Sequence, residues 1–456
     1  MSIYFRALPV VAALLAVLPG CGPSRASVDA DPNQTRVPTA PNGQVVAPST
    51  PAIPAEETIP PGATLTLAQL LNIAERHNPT RAVFAANRRA AAAQVTQAGA
   101  WDNPEAEVEV GSAKTTAGER LGVGRLSVRQ RIPWPGKRSS RIDAAQAGSA
   151  VADSEARSLA LDLAGEVSAS AVDLAIDHQG LDQATAIQTI AHEVAALVDK
   201  RLTAGEATKS DLLRARVDAL QADQEVAALT SDLAAARAGL NALCGGVLPV
   251  TFTVALVLDQ LPALDHEQAL ATAESQHPEL ARIQATLRQH QLEVDRERSA
   301  AYPDVTVGVF TGKETDSRNL GVSVGIDLPL WNRNQGGIEA ANAEVDRAQA
   351  EFAVQRAKLR REVDQAWRAY DKARAQVDRY RTDIRSTAQE ALRLAMSAYQ
   401  TGETSALDVL DARRTAQAIE TGFIDALRQA HAARVRLDLA TGTLVPTSRT
   451  PAGTTP

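Results

Sequence analysis

Asp408 and Asp411 stand three residues apart in AYQTGETSALDVLDARR, the stretch at 398–414, within a run of helical composition. Residues three apart share one helix face, so two carboxylates there form a negative patch that attracts cations. A pair of this kind on a solvated helix face is the commoner case, and the two residues alone leave both readings open. A rougher copy, KRLTAGEATKSDLLRAR at 200–216, keeps Asp211 but carries Arg214 where the second carboxylate would be. Gly205 and Gly402 occupy matching places in the two copies, and glycine accepts the left-handed conformation that ends a helix.

Other reactive groups point to no catalytic chemistry. The seven histidines, at 77, 178, 192, 266, 277, 290 and 431, lack metal-ligand spacing. There is no phosphate loop and no GxSxG elbow, so the chain reads as a non-enzyme without a cofactor. A formal net charge of −7 argues against nucleic acid as a partner. Of the two cysteines, Cys244 reads as a small buried hydrophobe. Cys21 follows Arg6, an apolar run from Ala7 to Leu18, and Pro19-Gly20, which makes residues 1–20 a signal peptide. That ending resembles a bacterial lipobox, whose cysteine is lipidated and becomes residue one; an ordinary signal peptide containing Cys21 is the alternative. Gly22 after the cysteine favours sorting to the outer membrane.

The elements that must hold these residues are long helices. Aromatics are 3% of the chain and alanine is abundant, which is poor material for a thick core but suits close helix packing. Residues 21–63 form a Pro-rich tether and 446–456 a tail, both too polar to offset the entropy of ordering. Between them the chain repeats once, over 64–249 and 250–445. Trp101-Asp102-Asn103-Pro104 is answered by Ala300-Ala301-Tyr302-Pro303, and Gly205 by Gly402. Each repeat carries a proline-free stretch, read as a long helical hairpin over 137–243 and 335–442. At ~1.5 Å per residue, a single helix over 137–203 would be about 100 Å long.

Four segments with period two precede these hairpins, about 105–111, 122–132, 304–312 and 319–328. Segments of this length, apolar on one face and polar on the other, suit a transmembrane β-barrel. Trp101, Trp134, Tyr302 and Trp331 flank them as an interfacial girdle would, beside prolines 104, 133, 303 and 329. Four strands cannot close a barrel, and open edges in lipid leave backbone groups unpaired, so several chains must contribute. Their number does not follow from the strands.

The duplicated unit, the motif TyrGlnThrGlyGluThrSerAlaLeuAspValLeuAspAla at 399–412 and the proline-bounded strand ends resemble the TolC family of outer-membrane efflux ducts over roughly 64–443. The resemblance implies a mainly α fold with a membrane β-barrel: a homotrimer whose four strands per chain make twelve, continuous with an α-helical tunnel across the periplasm. It also implies a periplasmic adaptor (membrane fusion protein) and an inner-membrane RND-type pump as partners, with outer-membrane lipid around the barrel. Asp408 and Asp411 would form acidic rings at the periplasmic gate. The tips, with Gly205, Tyr399, Gly402 and Glu403, would meet the adaptor. Some relatives carry an arginine latch where this chain has Thr404, so that latch is not expected here. ProGlyLysArgSerSerArgIleAspAlaAla at 135–145 and LeuProLeuTrpAsnArgAsnGlnGlyGlyIleGluAlaAla at 328–341 resemble the heavy-metal branch, which exports cobalt, zinc, cadmium, copper or silver. Ducts for organic compounds or type I secretion share the same body. A periplasmic adaptor lipoprotein is the alternative from another class, and it would carry one hairpin instead of two repeats.

Overall fold

A computed structural model describes residues 59–114, 120–314 and 317–444, and the signal segment with Cys21 lies outside them. The chain runs β1 (Ala63–Thr66), α1 (Leu67–His77), α2 (Thr80–Ala98), β2 (Glu105–Lys114), β3 (Arg120–Ile132), α3 (Lys137–Thr203) and α4 (Lys209–Leu243). It continues with β4 (Phe252–Ala255), α5 (His266–Gln276), α6 (Pro278–Ala300), β5 (Val305–Glu314), β6 (Ser317–Ile326), α7 (Gln335–Arg379), α8 (Arg385–Thr401) and α9 (Ala406–Thr441). The order of elements is the same in the two halves, with one addition. A π-helical turn, Tyr380–Ile384, joins α7 to α8, so the second long helix is interrupted where α3 is continuous.

α3 has 67 residues, about 100 Å at ~1.5 Å per residue, and contains no proline. Its buried positions are mostly small: Ala164, Ser168, Ala171 and Ala175 let neighbouring helices approach closely. α3 packs against α2, α4, α6 and α9, while α7 packs against α6 and α9, and α8 against α9. The tip-side layer therefore reads α4, α3, α9, α8, with a member of each half at either end. Midway, β1 and β4 pair in parallel, Ala63 opposite Phe252, and a cluster including Leu70, Val167, Leu240 and Phe252 closes over them. The connection before α5 is strapped to α7, because Tyr370 Oη donates to the Pro262 carbonyl at 2.7 Å and Trp367 Nε1 to the Leu264 carbonyl at 2.9 Å.

The other end is a four-stranded antiparallel sheet in the order β2-β3-β5-β6. β6 ends at Ile326 rather than at the expected 328, just ahead of Pro329, which has no N–H to give a ladder. Alternation gives the sheet two unlike faces. One carries Val108 and Val110 of β2, Val128 of β3, Val309 of β5, and Leu320 and Val322 of β6, which register brings side by side. All six are exposed, Leu320 at 86% and Val110 at 85%. The other face carries Glu105, Glu107 and Glu109 beside Arg125, Arg129 and Arg131, with Glu107 and Arg129 in an ion pair. The outer edges of β2 and β6 pair with no strand among the described residues.

Candidate functional site: the hairpin tips and the sheet

α3 ends at the tip turn that contains Gly205 and α8 ends at Gly402, whose φ values of +80° and +83° lie in the left-handed region where a side chain is strained. Glu206 N–H donates to the Arg201 carbonyl and Glu403 N–H to the Ala398 carbonyl, both at 2.8 Å, so the two tips close by the same bond. They also share one core. Val194 and Val198 of α3, Leu212 of α4, Tyr399 of α8 and Val409 and Leu410 of α9 are buried together.

An arginine from the first tip ties down the second. Arg201 Nη1 donates to the Tyr399 carbonyl at 2.6 Å, its guanidinium lies 4.7 Å from the centre of the Tyr399 ring, and its Nε reaches Glu206 at 3.2 Å. Tyr399 thus takes part through its carbonyl and its ring. Its hydroxyl is buried and has no partner among the described residues, and burial raises its pKa.

Asp408 and Asp411 lie exposed on one helix but differ in what holds them. Asp408 is the third residue of α9 and completes a capping box with Ser405. Its Oδ2 accepts from Ser405 Oγ at 2.7 Å, Ser405 N–H at 3.0 Å and Thr404 Oγ1 at 3.1 Å. These bonds, the Ser405 hydroxyl first, hold its pKa below the ordinary carboxyl value. Asp211 does the same for α4 with Thr208. The aspartate common to both tips is therefore a helix-start residue, with a signal the sequence does contain: Ser or Thr three positions ahead of it. Asp411 has no counterpart in the first tip and makes no hydrogen bond or ion pair among the described residues, so its charge is free to act at a distance.

Above the tips, ionic ties cross between helices. Asp218 of α4 and Arg413 of α9 are 1% and 3% exposed and form a buried ion pair, in which Asp218 Oδ2 and Arg413 Nε lack partners. Glu420 accepts from Arg385 at 2.9 Å and Gln389 at 2.8 Å, joining α9 to α8. Arg428 reaches Asp177 of α3 at 2.7 Å. Among the described residues no three His, Cys, Asp or Glu side chains gather as a metal site.

At the junction of sheet and helices, Asp304 accepts from Trp134 N–H at 3.1 Å and Lys137 Nζ at 2.7 Å. The rings of Trp134 and Tyr302 stack with centres 6.3 Å apart, Arg138 lies over Trp101 at 5.7 Å, and Trp331 is 89% exposed. On the charged face of the sheet, the far end of the Phe310 ring lies over Gly321, where an added Cβ would stand 2.5 Å from Cζ, and Arg125 covers the ring at 4.3 Å.

A charged and an apolar face on one antiparallel sheet, joined to a layer of very long helices, define the architecture of a membrane channel subunit. The chain belongs to the outer membrane efflux protein family, whose sequence profile matches residues 70–246 and again 269–443. Among its relatives is the cobalt-zinc-cadmium resistance protein CzcC of Cupriavidus metallidurans, 29% identical over 380 residues, 83% of this chain and 90% of the relative. The nickel-cobalt-cadmium resistance protein NccC of Alcaligenes xylosoxydans xylosoxydans is 29% identical over 283 residues, 60% of this chain and 62% of that one. A crystal structure of CusC shares the fold at a TM-score of 0.68 and 21% identity, covering 82% of this chain and 91% of that chain.

Proposed function

We propose that three copies of this chain close their sheets into one twelve-stranded barrel in the outer membrane, with the long helices forming a tunnel into the periplasm. The observation that carries this reading is the sheet: an exposed apolar face, a charged opposite face, and two edges without a partner among the described residues. An open edge in lipid leaves each unpaired backbone group at a cost of several kcal/mol, and ring closure removes both edges. Trp101, Trp134, Tyr302 and Trp331 then sit at the periplasmic interface of the barrel, and Cys21 tethers the chain by its lipid. The two repeats would descend from one duplicated unit.

In this reading the channel is passive. A periplasmic adaptor docks on the tips at Gly205, Tyr399, Gly402 and Glu403, and an inner-membrane pump supplies the energy. Asp408 and Asp411 line the narrow periplasmic end, where ring symmetry multiplies each carboxylate. The cargo is a heavy-metal cation, supported by the metal resistance for which CzcC and NccC are named. The deciding experiment for class is gel analysis of the outer-membrane fraction: heat-resistant trimers are expected, and a soluble monomer would overturn the reading. For cargo, deletion is expected to sensitise cells to zinc, cobalt, cadmium or nickel. Sensitivity to organic compounds alone would overturn the metal assignment.

A further inference from the structure

Asn78 and His277 hold the same place in the two halves, each followed by proline and by one of the helices that lead to the sheet, α2 and α6. Asn78 uses both ends of its amide. Its Oδ1 accepts from Thr80 N–H at the start of α2 at 2.8 Å, and its Nδ2 donates to the Leu243 carbonyl at the end of α4 at 2.9 Å. His277 makes the same bridge with a ring. Its Nδ1 accepts from Glu279 N–H at the start of α6 at 3.2 Å, and the ring also hydrogen-bonds the Leu439 carbonyl in the last turn of α9. The chain passes closely at both places. A Cβ added at Gly245, just past α4, would collide with the His77 carbonyl, and one at Gly442, just past α9, would stand 3.1 Å from His277 Cα. Each side chain thus joins a helix that comes from a tip to a helix that leads to the sheet.

The two bridges differ in one property: an amide does not titrate near neutral pH, and imidazole does. Only the neutral ring fills both roles. A proton on Nδ1 turns an acceptor into a donor aimed at a backbone N–H. It also sets a positive charge at a helix N-terminus, where the dipole is already positive. Burial keeps the ring neutral against the pull of three carboxylates, Glu279 of α6, Glu362 of α7 and Asp162 of α3. Glu279 is engaged by Arg282 at 2.7 Å and by Ser158 of α3 at 3.3 Å, whereas no hydrogen bond holds Asp162 among the described residues. A ring that leaves its cap as imidazolium therefore has a counter-charge beside it.

We propose that His277 is a proton-released joint: in acid its ring protonates on Nδ1 and lets go of the start of α6, so that α9 uncouples from α6 while α4 stays tied to α2 through Asn78. The joint lies within one chain and does not depend on the ring of copies proposed above. Because α9 runs from this joint to Asp408 and Asp411, acid acts on one of the two tips and spares the other.

The test is hydrogen exchange of the purified full chain, read by mass spectrometry between neutral pH and pH ~5 and corrected for the intrinsic pH dependence of exchange. The segments to compare are 279–283 with 437–443, and 80–84 with 240–246. In the second half, protection is expected to fall by about tenfold per pH unit once the pH passes below the ordinary histidine value of 6.5, and in the first half to hold. Equal loss in both halves, or loss in neither, would overturn the joint, and this comparison needs no variant. His277→Asn, which copies the first bridge, is expected to keep its protection in acid, and Asn78→His to carry the acid response over to 80–84 and 240–246. An acid response that survives His277→Asn also overturns the inference.

Discussion

The guanidinium of Arg201 grips Tyr399 twice, by a 2.6 Å hydrogen bond to its carbonyl and by lying over its ring, although 198 positions of chain separate them. One tip therefore holds the other inside a single subunit. A hydrogen bond from a charged group is worth about 1.5–3 kcal/mol, which biases a tip between docked and released by roughly tenfold or more. Arg201→Ala is expected to raise the single-channel conductance of the reconstituted protein. Tyr399→Phe is expected to leave it near wild type, because the carbonyl and ring remain and only an unpartnered hydroxyl goes. Equal effects of the two changes would count against the tie.

Asp218 and Arg413 predict a stability effect with an unusual rescue. Removing one partner of a buried ion pair costs about 3–5 kcal/mol, whereas replacing both with apolar side chains is often neutral. Asp218→Leu should lower the unfolding temperature of the protein, and adding Arg413→Met should recover most of the loss, as read by circular dichroism in the far ultraviolet.

The unequal bonding of Asp408 and Asp411, the aspartates of the proposed gate, predicts unequal roles. Asp411→Asn should reduce the preference of the channel for cations, read as a reversal potential across a salt gradient. Asp408→Asn should act less on selectivity and more on order, with faster hydrogen exchange through the first turn of α9, because it weakens the capping box.

Acid should loosen the molecule in two stages. Burial lowers the pKa of His277 and His431 below the ordinary value of 6.5, so both stay neutral in the fold while the unfolded chain binds protons. Their contribution is present above that pH and is lost as pH falls toward the lowered values. Asp211 and Asp408, also lowered, contribute at neutral pH and lose that contribution further down, as pH falls through their folded values. Melting temperature against pH should therefore fall first below the ordinary histidine range, and His431→Gln should flatten that first step.

Period two in Leu320–Ile326 and the proline-free length of α3 were legible in the sequence because each is a local pattern with one physical reading. The family and its efflux function followed from them and from the motif around Gly402. Asp408 carries a second, local role that the sequence also holds. Two carboxylates three apart attract attention as a pair, while the serine three positions before the first marks that one as a helix-start residue too, and Thr208 before Asp211 repeats the pattern. Arg201 could not be read at all, since nothing in KRLTAG specifies a tyrosine in the other hairpin. The Asp218–Arg413 pair was equally hidden, as each looks like an ordinary charge on an amphipathic helix.

The π-helical turn at Tyr380–Ile384 has a consequence for how one helix serves two neighbourhoods. An extra residue advances everything beyond it by about 100° around the axis. On the α7 side the exposed residues include Val354, Arg361, Lys372 and Arg379, and on the α8 side Glu390, Ala391, Arg393 and Leu394. The turn works as a phase shifter: it sets which side of the rod buries Leu392 and Tyr399 and which side leaves Leu394 open. Deleting one residue there would leave the composition of the helix almost untouched and swing Tyr399 by about 100° out of the core it shares with Val409 and Leu410.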